Sequence, residues 1–211
     1  MNKKPNQKTN QKITHEINQD TTSQESNIEM QNGKQEISLK TSKTFSKRFI
    51  VLLPIISIFL LVGFDQFIKH LAVINLKDHD PIVLIQGVLE LQYLENRGAA
   101  WGILQNKQIV FYILTIVFMA IALWFYIKVP KNRHYLPLMS AVLVLFSGAV
   151  GNFIDRVAHQ YVVDFIYFSI IDFPVFNVAD IYVTLSVIAL LIMILFQYKD
   201  DDMKFLTRRG K

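Results

Sequence analysis

The chain has 211 residues, 52% of them apolar, and a formal net charge of +5. It contains no cysteine, which excludes disulfides, thiol nucleophiles and thiolate-held metals without fixing a compartment. The apolar residues gather in several separate runs of about 20, the length that crosses a bilayer's hydrocarbon core, and a single soluble core requires no such runs.

Residues 1–47 carry Asn, Gln, Lys, Ser and Thr and few large apolar side chains. Such a segment cannot bury enough surface to offset its ordering entropy, so a disordered polar tail is expected. The first apolar run, Phe49 to Phe64, follows Lys47-Arg48, and its helical pattern continues through Asp65 to Leu71. The long preceding tail and the lack of a small-residue cleavage site argue for a first span rather than a removable leader. Residues 78–107 break the pattern. Asp80-Pro81 and Gln86-Gly87 signal turns, and Leu89-Glu90-Leu91-Gln92-Tyr93 alternates as a short strand does, which predicts a small sheet lying over the membrane surface.

Ile109 to Val129 is the second span, and the basic turn Pro130 to His134 ends it. The third span runs from about Tyr135 to Ile154. Residues 155–176 are mixed and rich in aromatics, as at a membrane–water boundary. The fourth span runs from about Val178 to Tyr198, and a charged tail, 199–211, follows. The expected fold is therefore an all-α membrane protein, a four-transmembrane-helix bundle in a body of residues 48–198, with a small extracytoplasmic β-sheet. Basic residues precede span one, separate spans two and three, and follow span four. The positive-inside rule makes that side cytoplasmic, with both termini there, and turns 78–107 and 155–176 outward. Topology and anionic lipid account for the net positive charge, so no nucleic-acid partner is expected.

The unusual polar residues converge on the outward side. Asp65 and Lys69 end span one, Asn96 and Arg97 lie in the first outer loop, and Asn152, Asp155 and Arg156 end span three. Asp164 lies in the second outer segment, and Asn177 and Asp180 open span four. Ionisable groups near membrane depth are costly, tend to be paired and tend to serve function. Each has a plainer reading. Asp65 and Lys69, four apart, form an ion pair that merely stops the helix, or serve the site. Asn152 and Arg156 share a helical face, with Gly148 and Gly151 allowing a close backbone approach; they position substrate or clamp a loop, and Asp155 reads as structural. Asp180 follows Asn177 as a first-turn acid does after an N-cap. Asp164, inside Val162-Val163-Asp164-Phe165, is odd for a solubilising charge.

Two carboxylates held close in a poorly solvated place share a proton. The ionised member can activate a water, and the protonated member can polarise a carbonyl and protonate a leaving nitrogen. That chemistry needs no metal or cofactor. The sequence has neither a His-Glu-x-x-His zinc motif nor a Gly-x-Ser-x-Gly elbow, and its five histidines are scattered. The rival readings are a proton-coupled transporter and a non-enzymatic assembly factor whose polar residues only join helices.

Five ordered blocks resemble the lipoprotein signal peptidase, or signal peptidase II, family. They are Asp65-Gln66-Phe67-Ile68-Lys69, Asn96-Arg97-Gly98-Ala99-Ala100-Trp101, Gly148 through Arg156, Val162-Val163-Asp164-Phe165, and Phe176-Asn177-Val178-Ala179-Asp180. The similarity covers roughly residues 49–198. It implies a membrane-embedded aspartyl endopeptidase with Asp164 and Asp180 as catalytic residues, no metal and no cofactor. It also implies that Asp65, Lys69, Asn96, Gly98, Asn152, Arg156 and Asn177 line or support a substrate site. The implied substrate is a prolipoprotein whose cysteine carries diacylglycerol, cut just before that cysteine at the outer face of a bacterial cytoplasmic membrane. The expected partners are such substrates, membrane lipids and globomycin-like inhibitors, and the expected state is a monomer. The strand-like loop 82–104 would cradle the peptide, with Trp101 near the lipid boundary. Trp101, Ser147 and Gln160 depart from the family's usual Phe, Gly and Gly, and the N-terminal tail is longer than usual.

Overall fold

The computed structural model describes Met30 and residues 47–98 and 107–206. Trp101, most of the polar tail and the end of the basic tail lie outside the described residues. The chain divides into two units, Met1–Thr44 and Phe45–Lys211, and the elements below belong to the second. Four helices are long and apolar enough to cross a membrane. They are α1 (Lys47–Leu76), α2 (Gln108–Lys128), α3 (Leu136–His159) and α4 (Val178–Ile192), the last continued by a π-helical turn, Met193–Gln197. Helix α3 is the hub. It packs on each of the other three and is half buried, whereas they leave most of their apolar surface exposed, as lipid-facing helices do.

Small residues set that packing. A Cβ on Gly148 would lie 2.6 Å from the Ala179 carbonyl of α4, so only glycine permits this approach. The α2–α3 turn is capped by Asn132, whose side chain accepts from the His134 and Tyr135 amides, and a proline opens α3. At that end Tyr198 stacks on Tyr135 at 5.5 Å, and the short 3-10 turn Asp202–Leu206 packs against the same cluster.

The third span continues to His159, five residues past the expected Ile154. Polarity does not end it because Asp155 turns inward to partners of its own. Gln160 then caps the helix in the left-handed conformation, φ 66°, where glycine is the least strained residue. Ser147, at another usual glycine position, is buried and donates to the Leu143 carbonyl at 2.8 Å.

The sheet has three antiparallel strands, β1 (Ile82–Ile85), β2 (Leu89–Asn96) and β3 (Val162–Tyr167), in that order. Gly87, at φ 68°, supplies the β1–β2 turn. Strand β3 falls in the stretch that sequence left unassigned. Four of its residues are buried in succession, which erases the alternation of a half-buried strand. Its Val, Ile, Phe and Tyr content was the available signal. Alternation still operates in space: Val163 and Phe165 pack on Ala72 and Leu76 of α1, and Asp164 points to the other face.

Candidate active site

Asp164 and Asp180 both line one cavity of about 620 Å³. Strand β3 supplies the first. The second sits in the opening turn of α4, whose start is fixed by a reciprocal cap. The Asn177 side chain accepts from the Asp180 amide at 3.1 Å, and Asp180 Oδ2 accepts from the Asn177 amide at 3.1 Å. A register shift between Leu91 and Leu94 of β2 lies beside Asp164 and carries Asn96 to its side.

Every carboxylate oxygen of the pair accepts a hydrogen bond. Asp164 Oδ1 accepts from Asn177 Nδ2 at 2.6 Å and Oδ2 from Asn96 Nδ2 at 2.8 Å. Asp180 Oδ1 accepts from Asn152 Nδ2 at 2.8 Å. The three asparagines are themselves oriented. Asn96 Oδ1 accepts from the Gly98 amide at 2.9 Å, and Asn152 Oδ1 accepts from Asn177 Nδ2 at 3.1 Å and from Lys69 Nζ at 2.9 Å. Asp164 is 2% exposed. Burial pushes its carboxyl from the ordinary 3.8 up to about 7, and the neighbouring Asp180 charge adds to the effect.

Behind the carboxylates lies a buried ionic hub. Lys69 Nζ is 2.9 Å from Asp65 Oδ2 and 2.9 Å from Asp155 Oδ2. Gln66 donates to Asp155 Oδ1 at 2.8 Å, and Asp65 Oδ1 accepts from the Ala179 amide at 2.8 Å. Thus α1 caps the helix that carries Asp180. Asp155 Oδ2 also accepts from the Val163 amide at 3.3 Å, tying α3 to the strand that carries Asp164. Gly151 leaves room for all of this, since a Cβ there would lie 2.5 Å from Asp65 Oδ2.

The sequence-predicted residues therefore fall into two sets. Asp164, Asp180, Asn96, Gly98 and Arg156 line the cavity; Asp65, Lys69, Asn152 and Asn177 form the layer behind it. His159 stacks on Tyr161. Sequence reasoning passed over the cavity's apolar walls, Phe111 of α2, Phe168, Ile171 and Phe173 after β3, and Ile181 and Thr184 of α4. Their signal was partial: Ile181 and Thr184 follow Asp180 on the same turn and the next, Phe168 and Phe173 belong to the aromatic boundary stretch 155–176, and Phe111 is one apolar residue among many in the second span.

Fold and site together define a polytopic membrane protein with paired aspartates at one end of its helical bundle. A family model described as signal peptidase (SPase) II matches residues 57–196, and the chain belongs to that family, whose members are proteases. A lipoprotein signal peptidase of Streptococcus thermophilus (strain CNRZ 1066) is 44% identical over 147 residues, covering 70% of this chain and 93% of that protein. One from Staphylococcus epidermidis is 40% identical over 151 residues, covering 71% and 92%. A solved bacterial membrane enzyme, determined by the in meso method at 1.9 Å resolution, superposes with a TM-score of 0.63 at 37% identity, covering 75% of this chain and 99% of that one.

Proposed function

We propose that this protein removes signal peptides from diacylglyceryl-modified prolipoproteins, cutting just before the lipidated cysteine, with Asp164 and Asp180 as its catalytic pair. The observation that carries the reading is the opening of two carboxylates, from separate elements, onto one cavity with a polar floor and apolar walls. The catalytic water's oxygen attacks the scissile carbonyl carbon while Asp180 takes one of its protons. Asp164, whose raised carboxyl keeps a protonated fraction at neutral pH, gives its proton to the carbonyl oxygen. The resulting diol then collapses, returning a proton to Asp164. The C–N bond breaks, and the departing nitrogen takes the proton held by Asp180.

Asn96, Gly98 and Arg156, at the cavity surface, hold the peptide's carbonyls and backbone. Asp65, Lys69, Asn152 and Asn177 keep the pair in register from behind. The phenylalanine-rich walls suit acyl chains, and globomycin-like lipopeptides would occupy the same space. Lys128, Lys131 and Arg133 cluster where α2 ends and α3 begins, with further lysines after α4, so that end is cytoplasmic and the site faces outward. The test uses purified protein in lipid nanodiscs with a synthetic peptide bearing diacylglyceryl-cysteine. Cleavage before the cysteine, with the unlipidated peptide left intact and chelators without effect, is the expected result. Equal cleavage of both peptides, or of neither, would overturn it.

A further inference from the structure

We infer that Phe111 is a positioning residue for Arg156: its ring face, through a cation–π contact, sets the direction in which the guanidinium meets the substrate. The inference rests on the reading that Arg156 holds substrate carbonyls. Arg156 is a weakly tethered cation. Among the described residues its side chain donates to two backbone carbonyls, Asn152 at 3.4 Å and Gly98 at 3.5 Å, both near the limit for hydrogen bonding. Among the described residues it forms no ion pair, although it lines the cavity with Asp164 and Asp180. A guanidinium has five N–H donors in a rigid plane. The orientation of that plane decides how many of them face the peptide.

The contact that fixes the plane comes from α2. The guanidinium carbon lies 4.8 Å from the centroid of Phe111, within cation–π range. The next residue anchors the other half of the same arginine. Tyr112 donates its hydroxyl to the Arg156 carbonyl at 2.8 Å, and its ring meets Phe153 edge-on at 6.1 Å. Successive residues at the start of α2 thus grip the backbone and the head of Arg156 together. Helix α2 has little other attachment at this end, since it packs chiefly on α3. Phe111 is also a cavity wall, so apolar volume and cation–π attraction must be separated by experiment.

Phenylalanine analogues carrying one, two, three and five ring fluorines at position 111 keep the ring's shape and drain its negative face. KM and kcat for the diacylglyceryl peptide are measured across the series in otherwise unchanged protein and in an Arg156→Gln background. The expected result is a stepwise rise in KM of about three- to thirty-fold across the series with little change in kcat, the pattern of a lost ground-state contact. Phe111→Leu is expected to match the fully fluorinated ring, Phe111→Trp to retain the low KM, and the Arg156→Gln background to abolish the dependence. A flat series beside a raised KM in Arg156→Gln would overturn the role of Phe111. No change in Arg156→Gln itself would overturn the underlying reading of Arg156, and this inference with it.

Discussion

At the residue scale the site is an arrangement of amides that dictate where protons sit. Asn152 and Asn177 each present an oxygen to a donor on one side and a nitrogen to a carboxylate on the other, so neither amide can turn over without leaving a buried group unsatisfied. Lys69, only 3% exposed, is held by two carboxylates and the Asn152 oxygen. The pH dependence follows from Asp164. Its carboxyl titrates near 7 when folded, against the ordinary 3.8. Between those values the folded protein keeps a proton that the unfolded chain has released, so this group's contribution to stability falls as pH rises through that window and levels off above it. Asp164→Asn removes the slope. Thermal unfolding in detergent is expected to favour the variant over the parent more at about pH 8 than at about pH 4.5, and an equal difference at both would contradict the raised carboxyl. With Asp164 as the proposed acid that protonates the carbonyl oxygen, the parent's kcat is expected to fall as pH rises above neutrality, and a kcat flat from about pH 6 to about pH 8.5 would contradict that role.

At the element scale the site depends on how closely α1, α3 and α4 approach. Gly151 is where α1 lodges the Asp65 carboxylate against α3, and Asp65 in turn caps α4. Gly151→Ala is expected to destabilise the protein by about 1–3 kcal/mol, the usual range for overpacking, and to lower cleavage because α4 loses its anchor. A thermal midpoint matching the parent's would show that the Asp65 pocket can yield without consequence. The helices were legible in sequence because runs of Ile, Leu, Val and Phe exceed any soluble requirement, and their starts were marked by Asn177 and the basic turn. Strand β3 was not legible: burial on both faces removes the alternating pattern, and its centre is an aspartate, which propensity disfavours in strands. The end of α3 was misjudged for a related reason, since Asp155 and Arg156 look like solvent-seeking residues until their partners are known. Of the site, the asparagines and acids could be found by their convergence on one end. Which of them face the cavity and which stand behind it depends on rotation about helix axes and on the register of β2, information that one sequence does not carry.

At the scale of the whole molecule the polar residues and the charge bias run in opposite directions. The paired aspartates gather at one end of the bundle, and the basic turn and the described part of the tail, residues 199–206, lie at the other. The lack of native cysteine makes this orientation simple to test. Asp172→Cys, in the segment after β3, is expected to react with a membrane-impermeant maleimide in intact cells, while Arg133→Cys reacts only after permeabilisation; the reverse pattern would invert the topology. Such an arrangement suits a substrate that stays in the bilayer by its acyl chains while its peptide crosses the cavity. The central claim is that two side chains, one on β3 and one on α4, perform the hydrolysis together. It is tested most directly by cleavage of the diacylglyceryl peptide by Asp164→Asn and Asp180→Asn, each purified, inserted in lipid and verified as folded. Each is predicted to lose about 10²–10⁴-fold in kcat, the contribution of a positioned general acid or base. Retention of the parent's rate by either folded variant would contradict it.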